Sequence, residues 1–229
     1  MRKILGYMGA IGAGKDYISH NLGGRLVSKG YKSVVPAKFA SSLNGAVASI
    51  LGVDERELQD RSLKEQKRFT FANPGRAWSS RDVQKEVGSV FRKNLGADVF
   101  INALANHYSD TKNYDDAIIL ISDLRYQNEV DWVREQGGKV LYIHNEKAAQ
   151  AQHERECNHP KFWTNISETK EDNWVCNERT DHVPPESEEL QWDFYNKVET
   201  PDYWLDNNDF SDVKPFDDFV QFVVDYLEN

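Results

Sequence analysis

The fold of this chain is decided near its N-terminus by the stretch Gly9-Ala10-Ile11-Gly12-Ala13-Gly14-Lys15-Asp16. The apolar run 3–8 before it predicts a buried strand, and apolar residues at helical spacing from Ile18 to Leu26 after it predict a helix. In this order the pattern G-x-x-x-x-G-K predicts a phosphate-binding loop. Converging backbone N–H groups, the helix N-terminus and Lys15 would bind the phosphate oxygens. A glycine-rich turn with a surface lysine is the competing interpretation, and the order of elements disfavours it.

The residues after the loop lysine depart from the usual pattern. Asp16 stands where Ser or Thr normally supplies a hydroxyl to Mg²⁺, and Tyr17 follows it. On the pattern alone, this departure counts against a standard nucleotide site.

Charge and cysteine content exclude several functional classes. The net charge is −9, and residues 168–229 carry 18 acidic and 4 basic side chains, against 19 and 24 in the preceding residues. An acidic chain lacks the positive surface that duplex nucleic acid requires, so we expect a small phosphorylated ligand held by a few arginines. The chain has no signal peptide and no apolar run near 18 residues, which predicts a cytoplasmic protein that binds no membrane. The two cysteines, Cys157 and Cys176, predict no disulfide framework.

Helical and strand patterns alternate along the chain. Helices are predicted over residues 15–28, 79–92, 98–108, 129–136 and 216–227, with a further one that opens within residues 39–43 and runs to about residue 51, and strands over residues 3–8, 32–37, 117–122, 139–144 and 203–206. In the second helix Ser41 or Ser42 would be the cap, with Ala46, Val47, Ile50 and Leu51 on the inner face. The alternation predicts one three-layer α/β/α domain with a mainly parallel five-stranded sheet.

The segments between these elements are polar. Residues 54–77 predict a short helix and a loop. Residues 146–168 are a candidate lid that excludes water on closing, and the acidic residues 169–201 are a candidate insertion before the last strand. The core of the predicted single domain is therefore about residues 1–145 and 202–229.

The helix over residues 79–92 carries polar side chains on one face. Arg81, Gln84 or Lys85, Gly88 and Arg92 lie three or four residues apart. A glycine inside a helix lowers its stability by about 1 kcal/mol relative to alanine, and close approach of a ligand would explain it. A solvated face with an incidental glycine is the alternative. In the next helix, Phe100 falls off the apolar stripe and is expected to face a pocket.

Asp123 and Arg125 directly follow the near-continuous apolar run 117–122, which predicts a central parallel strand. Ligands in open α/β sheets bind beyond the carboxyl ends of the strands. We therefore expect both residues at the functional site.

Together these segments resemble the phage-type deoxynucleoside monophosphate kinases. The matching pieces are Gly-Lys-Asp at 14–16, Phe39-Ala40, Arg81 with Gly88-Ser89, and the segments 98–104, 123–129, 137–140 and 167–168. They occur in the family's order over about residues 1–168, and the last strand and helix match more weakly. In this family Asp after the loop lysine is normal, so the resemblance removes the anomaly at Asp16.

The resemblance implies a P-loop kinase fold and transfer of the γ-phosphoryl group of ATP, with Mg²⁺, to a deoxynucleoside monophosphate. The product would feed DNA synthesis, for a viral protein in the host cytoplasm. Homodimers are common among such kinases, and the oligomeric state stays open. Which bases are accepted also stays open.

The resemblance also implies site residues. The implied ATP site comprises Ile11, Gly12, Ala13, Gly14, Lys15, Asp16 and Tyr17. The implied monophosphate site comprises Phe39, Arg81, Gln84, Lys85, Gly88, Ser89, Arg92, Phe100, Asp123, Arg125 and Glu129. The implied catalytic residues are Lys15, Arg81, Asp123, Arg125 and, from the lid, Arg155. Asp16 and Asp123 would orient Mg²⁺ directly or through water.

Three positions depart from the family's pattern. Tyr17 replaces a threonine, Phe100 replaces a tryptophan, and the family's helix glutamine aligns better with Lys85 than with Gln84.

Two other functions remain open from the sequence. One is a different P-loop small-molecule kinase resembling dephospho-coenzyme A kinase, and the other is a non-catalytic nucleotide-binding module. Zinc is a further question, raised by His153, Cys157, His159 and Cys176. Their irregular spacing without a Cys-x₂-Cys pair disfavours a structural zinc site.

Overall fold

A five-stranded sheet carries the glycine-rich loop. Its strands are β1 (Lys3–Met8), β2 (Val34–Ala37), β5 (Ile118–Ile121), β6 (Lys139–His144) and β9 (Tyr203–Asp206), in the order β2-β5-β1-β6-β9. β1 pairs in parallel with β5 and with β6, and β6 pairs in parallel with β9. The predicted mainly parallel five-stranded sheet is therefore confirmed.

The structure, a computed structural model, describes residues 2–71, 77–109, 116–157, 163–165, 174–176, 201–208 and 213–229. For residues 61, 152–157, 163–165 and 174–176 it describes the backbone alone. The chain forms two compact units. The sheet unit comprises Lys3–Pro36 and Ile118–Asn229, and the helical unit comprises Met1–Arg2 and Ala37–Ala117.

The sheet unit has helices on both faces of the sheet. These helices are α1 (Lys15–Ser28), α7 (Gln127–Glu135), α8 (Glu146–Cys157) and α9 (Lys214–Glu228). Leu5 and Tyr7 of β1 pack into a core cluster with buried residues of α1 and α9. Gly6, between them, faces the opposite side, where an added Cβ would lie 3.3 Å from Val133 of α7. Burial on both faces explains why β1 and β5 consist of continuous apolar runs.

The helical unit contains five helices and one short strand pair among its described residues. They are α2 (Ser41–Leu51), α3 (Glu55–Gln59), α4 (Arg61–Lys64), α5 (Ser80–Leu95), α6 (Val99–Ser109), β3 (Phe69–Thr70) and β4 (Ala77–Trp78). Ser79, the first residue of the helix predicted over residues 79–92, is the N-cap of α5: its hydroxyl accepts from the Asp82 N–H at 3.1 Å, and the Asp82 carboxylate accepts from the Ser79 N–H at 2.9 Å. This reciprocal pair is a capping box.

α2 differs from its prediction. Its N-cap is Ala40 and no side chain caps it, so neither Ser41 nor Ser42 has that role. Its buried residues are Leu43, Asn44, Val47 and Ala48, whereas Ile50 is 55% exposed. Of the predicted inner face, Val47 is buried, Ala46 and Leu51 are half-buried, and only Ile50 is wrong. The physical reason is that the side-chain Oδ1 of Asn44 accepts from Nε2 of Gln84 in α5 at 2.8 Å, which allows a polar residue on the inner side.

The predicted lid and insertion contain regular structure that the sequence pattern did not indicate. α8 occupies the first part of the candidate lid. β7 (Trp163–Asn165), from the lid, pairs antiparallel with β8 (Trp174–Cys176), from the insertion. The rest of both segments lies outside the described residues, so their roles stay predictions. No helix in the described part of the chain is long and apolar enough to span a bilayer.

Candidate active site

The loop between β1 and α1 requires glycine at three positions. Gly9, Gly12 and Gly14 have φ angles of +141°, +93° and +95°, which side-chain-bearing residues rarely adopt. A Cβ on Gly9 would lie 2.3 Å from the carbonyl oxygen of Ile143, and a Cβ on Gly14 would lie 2.6 Å from Nδ2 of Asn207. The ends of β6 and β9 therefore lie directly against the loop, and the glycines permit this close approach.

Lys15 closes the loop on itself. Its Nζ donates to the carbonyl oxygens of Gly9 at 2.6 Å and Ala10 at 2.9 Å. An ammonium group has three N–H donors and no acceptor, so a phosphate oxygen is a natural alternative partner for it. Lys15, the lysine predicted to bind phosphate, thus lies at the loop with its ammonium group on the loop's own carbonyl oxygens.

Asp16 is held by a residue that the sequence analysis missed. Ser122, buried after the end of β5, donates its Oγ hydrogen to Oδ1 of Asp16 at 2.7 Å. This bond joins the first turn of α1 to the carboxyl end of β5. The sequence could have indicated Ser122 only by its hydroxyl group, which lies between the apolar strand and Asp123. Tyr17, by contrast, is 59% exposed in the same turn of α1.

The carboxyl end of β5 positions Asp123 and Arg125 on either side of buried Leu124. Glu129 is 3% exposed, and its Oε2 accepts from the backbone N–H groups of Arg125 at 2.7 Å and Tyr126 at 3.2 Å. Its carboxylate therefore anchors the backbone that carries Arg125 and satisfies N–H groups at the start of α7. Glu129 is observed as a structural anchor, and its predicted contact with a nucleotide is not tested by this geometry.

A cluster of amide side chains supports the other side of the loop. Asn207, buried after the end of β9, donates from Nδ2 to the carbonyl oxygen of Ala13 at 2.7 Å. Asn145 donates from its Nδ2 to the carbonyl oxygen of Asn207 at 2.6 Å, and its Oδ1 accepts from the N–H of Ala148 in α8. The sequence did not indicate this role for Asn207, because no local pattern connects it with a loop about 194 residues earlier.

In the helical unit, the polar face of α5 is partly used by packing. Gly88 is buried, and an added Cβ would lie 3.3 Å from Leu43 Cδ2 and 3.6 Å from Arg92 Nη1. Gln84 donates to Asn44, whereas Lys85 and Ser89 are exposed. Packing against α2 thus offers one reason for the glycine that requires no ligand.

Arg92 covers Phe100. The guanidinium carbon lies 4.7 Å from the centroid of the Phe100 ring, a cation–π arrangement, and Phe100 is 3% exposed. Phe100 is therefore buried with Ile101 and Leu104, and the expectation that it faces an open pocket is not met in this structure. Phe39, also predicted to contact the nucleotide, is likewise buried in this unit.

Arg81 forms an ion pair with Glu65. Nη1 of Arg81 lies 2.9 Å from Oε1 of Glu65, and their side chains are 26% and 65% exposed. Next to it, Lys67 donates to the carboxylate of Asp82. The hydrogen bond from Lys67, with further bonds from the Ser79 backbone and hydroxyl, holds the pKa of Asp82 well below its ordinary value. The start of α5 is thus a network of charge pairs that leaves the Arg81 guanidinium beside one exposed carboxylate.

The predicted site residues divide between the two units. Lys15, Asp16, Asp123, Arg125 and Glu129 lie in the sheet unit. The helical unit holds Phe39, Arg81, Gln84, Lys85, Gly88, Ser89, Arg92 and Phe100. The side chains of Arg155, His153, Cys157, His159 and Cys176 lie outside the described part of the chain. Among the described residues, no group of three or more His, Cys, Asp or Glu side chains could hold a metal ion by itself.

Comparisons with known proteins give distant structural likenesses. No protein-family model matches the sequence, and no curated protein matches it. The APS kinase of Mycobacterium tuberculosis in complex with AMPPNP and APS is 12% identical with a TM-score of 0.42, over 100% of this chain and 98% of that chain. A mutant of the same APS kinase is 13% identical with a TM-score of 0.39, over 100% and 98%. Shikimate kinase from Bacteroides thetaiotaomicron is 10% identical with a TM-score of 0.36, over 100% of both chains. Likeness at this level assigns neither a family nor an activity to the chain.

Proposed function

We propose that this protein transfers the γ-phosphoryl group of ATP to a deoxynucleoside 5′-monophosphate, giving the diphosphate. The observation that carries the proposal is the loop after β1. It combines three glycines of positive φ, the ammonium of Lys15 and the carboxylate of Asp16, which Ser122 holds at the carboxyl end of β5. Glycine-rich loops at a helix N-terminus favour phosphate binding through their backbone N–H groups, and Lys15 adds positive charge there.

The residues proposed to bind ATP, the phosphoryl donor, lie in the sheet unit. The loop N–H groups and Lys15 would bind the β- and γ-phosphates of ATP, with Lys15 exchanging the carbonyls of Gly9 and Ala10 for phosphate oxygens. Asp16 and Asp123 fit Mg²⁺, which proteins usually hold through one or two carboxylates together with substrate phosphates and water. When bound there, Mg²⁺ would supply neutralisation of the charge on the β- and γ-phosphate oxygens.

Two arginines are proposed to bind the deoxynucleoside monophosphate, which is the phosphoryl acceptor. Arg125, whose backbone Glu129 anchors, and Arg81, at the start of α5, are the proposed ligands of the acceptor phosphate. The planar fork of a guanidinium matches two phosphate oxygens at once. In the transfer, an oxygen of the monophosphate would form a bond to the γ-phosphorus as the bond to the bridging oxygen of ADP breaks. Little covalent chemistry is left for the protein, whose residues position the two phosphates and neutralise their charge.

A substrate panel tests this proposal. Purified protein would be supplied with ATP, Mg²⁺ and, in turn, each deoxynucleoside monophosphate, each ribonucleoside monophosphate and dephospho-coenzyme A, and ADP release would be measured. We expect the wild type to release ADP with at least one deoxynucleoside monophosphate, and we expect Lys15→Ala to release none. Lys29→Ala, which removes an exposed lysine after α1, should release ADP at the wild-type rate.

Other outcomes of the panel would replace the proposal. ADP release with dephospho-coenzyme A alone would identify a different small-molecule kinase. ATP binding with no ADP release for any acceptor would identify a non-catalytic nucleotide-binding module.

A further inference from the structure

We propose that Asn207 is a positioning residue of the phosphate loop. By donating to the Ala13 carbonyl, its side-chain amide would hold the Ala13–Gly14 peptide so that the Gly14 N–H is directed to the phosphates of ATP. This inference rests on the proposed ATP site and adds to it a residue that directly follows the last strand.

The side chain of Asn207 is fixed by its surroundings. The residue is 6% exposed, and its backbone N–H donates to the carbonyl oxygen of His144 at 2.8 Å while its own carbonyl accepts from Asn145. Its Nδ2 lies 2.7 Å from the Ala13 oxygen. A carbonyl oxygen can only accept, so the nitrogen and not the oxygen of the amide must face Ala13. The buried side-chain amide of Asn207 therefore has a single orientation, with Nδ2 towards Ala13.

The peptides on either side of Ala13–Gly14 are already committed. The Ala13 N–H donates to the carbonyl oxygen of Ala10 at 3.0 Å, and the Gly14 carbonyl accepts from the Ile18 N–H at 2.9 Å, as the first turn of α1 requires. The peptide between them lies where the loop turns into the helix. Its orientation is therefore the one that the Asn207 hydrogen bond sets.

Peptide geometry converts this bond into a phosphate contact. None of the peptide bonds in the described residues is cis, and in a planar trans peptide the C=O and N–H groups point in opposite directions. Holding the Ala13 oxygen towards Asn207 thus turns the Gly14 N–H away from Asn207. Rotating this peptide the other way would present a carbonyl lone pair to phosphate oxygens, which repel it. Gly14 has a positive φ, and an added Cβ there would lie 2.6 Å from Nδ2 of Asn207, so a glycine at this position leaves room for the Asn207 amide.

Direct binding measurements on the full chain test the inference. ATP and, separately, inorganic tripolyphosphate would be titrated calorimetrically into wild type, Asn207→Leu and Asn207→Asp, which both lack the donor, and Asn207→Gln, which keeps it. The control is Asn208→Leu, because Asn208 binds the Glu146 N–H and Asp206 but not the loop. Thermal unfolding of each variant would be recorded in parallel.

We expect both donor-less variants to lose about tenfold in affinity for ATP and for tripolyphosphate alike, because the lost contact concerns phosphates. Asn207→Gln should recover most of this loss, and Asn208→Leu should bind as wild type. Wild-type affinity in a folded donor-less variant would overturn the inference. So would failure of both donor-less variants to fold, because Asn207 would then serve folding. A wild type that binds ATP but phosphorylates no nucleotide would refute the proposed function and leave this inference standing.

Discussion

Single charged residues carry the proposed chemistry, and in this structure each of them already has a partner within the protein. Lys15 donates to loop carbonyls, Asp16 accepts from Ser122, and Arg81 pairs with Glu65. A substrate must therefore compete with these partners or use the remaining donors and lone pairs. This competition makes the partners themselves informative targets for mutation.

Glu65 is the clearest competitor. If Arg81 binds the acceptor phosphate, Glu65→Gln should lower KM for the monophosphate by about twofold to fivefold, since an exposed ion pair is worth up to about 1 kcal/mol. Steady-state kinetics with varied monophosphate would measure the change. Glu57→Gln, which weakens the similar ion pair with Arg68, is the matched control and should leave KM unchanged. An unchanged KM in Glu65→Gln would argue that Arg81 does not bind the acceptor.

Ser122 supports the carboxylate proposed to orient Mg²⁺. Ser122→Ala should raise the Mg²⁺ concentration required for half-maximal turnover severalfold, because Asp16 loses the hydroxyl that fixes it. Ser122→Thr keeps the hydroxyl and should behave as wild type. Ser28→Ala, which removes an exposed hydroxyl of α1, serves as the control. A Mg²⁺ requirement that does not move in Ser122→Ala would remove Asp16 from the proposed metal site.

At the scale of elements, α5 has a well-stabilised first turn and, farther along, a buried glycine for which there are two explanations. Its capping box and the Lys67–Asp82 pair fix the first turn. Farther along, Gly88 is explained either by the packing of α2 or by a ligand. The two features give separate predictions.

Asp82 should make the stability of the fold depend on pH. Its pKa is lowered in the folded state by the bonds from Lys67 and Ser79, so its contribution is complete above the unfolded pKa of about 3.9 and disappears as pH falls through the folded value. Asp82→Asn should reduce the free energy of unfolding at pH 7 by about 1 kcal/mol. Below about pH 4, the free energy of unfolding should decrease less with falling pH in this variant than in wild type. Urea unfolding at pH 7 and pH 3 would measure both effects. Asp131→Asn, an exposed site on α7, is the control, and an equal acid loss in wild type and Asp82→Asn would contradict the account.

Gly88→Ala separates the two explanations for the glycine. Helix propensity should add about 1 kcal/mol of stability, which the tight contact with Leu43 opposes, so we expect the free energy of unfolding to stay within about 1 kcal/mol of wild type. KM for the monophosphate should rise severalfold if a ligand approaches here. Gly45→Ala in α2, where an added Cβ has open space, should gain stability without changing KM. A large loss of stability with an unchanged KM would assign Gly88 to packing alone.

For the whole molecule, the sequence predicted those helices and strands whose bounds depend on neighbouring residues alone. α1 and β6 have the predicted bounds, because Gly14 and Gly30 flank α1, Gly138 precedes β6, and their apolar residues are periodic or continuous. α8 was missed because its sequence is polar and has little periodicity. The buried face of α2 was misjudged because Asn44 finds its partner forty residues away.

The candidate site shows the same division. The loop, Asp16, Asp123 and Arg125 could be proposed from the sequence because a motif or a strand end indicates each of them. Ser122 and Asn207 were not found, since their roles consist of contacts with residues about 106 and 194 positions away. Such pairings depend on the order of strands in the sheet, which brings the ends of β5, β6 and β9 to the same edge as the loop.

The central claim is phosphoryl transfer from ATP to a monophosphate, and tracing the transferred group tests it most directly. ATP labelled with ³²P at the γ-position would be incubated with the protein, Mg²⁺ and a mixture of deoxynucleoside monophosphates, and the labelled products would be separated by chromatography. We expect the label to appear in a deoxynucleoside diphosphate, and we expect Lys15→Ala to abolish this product while Lys29→Ala does not. Label found only in inorganic phosphate, or only in unreacted ATP, would contradict it.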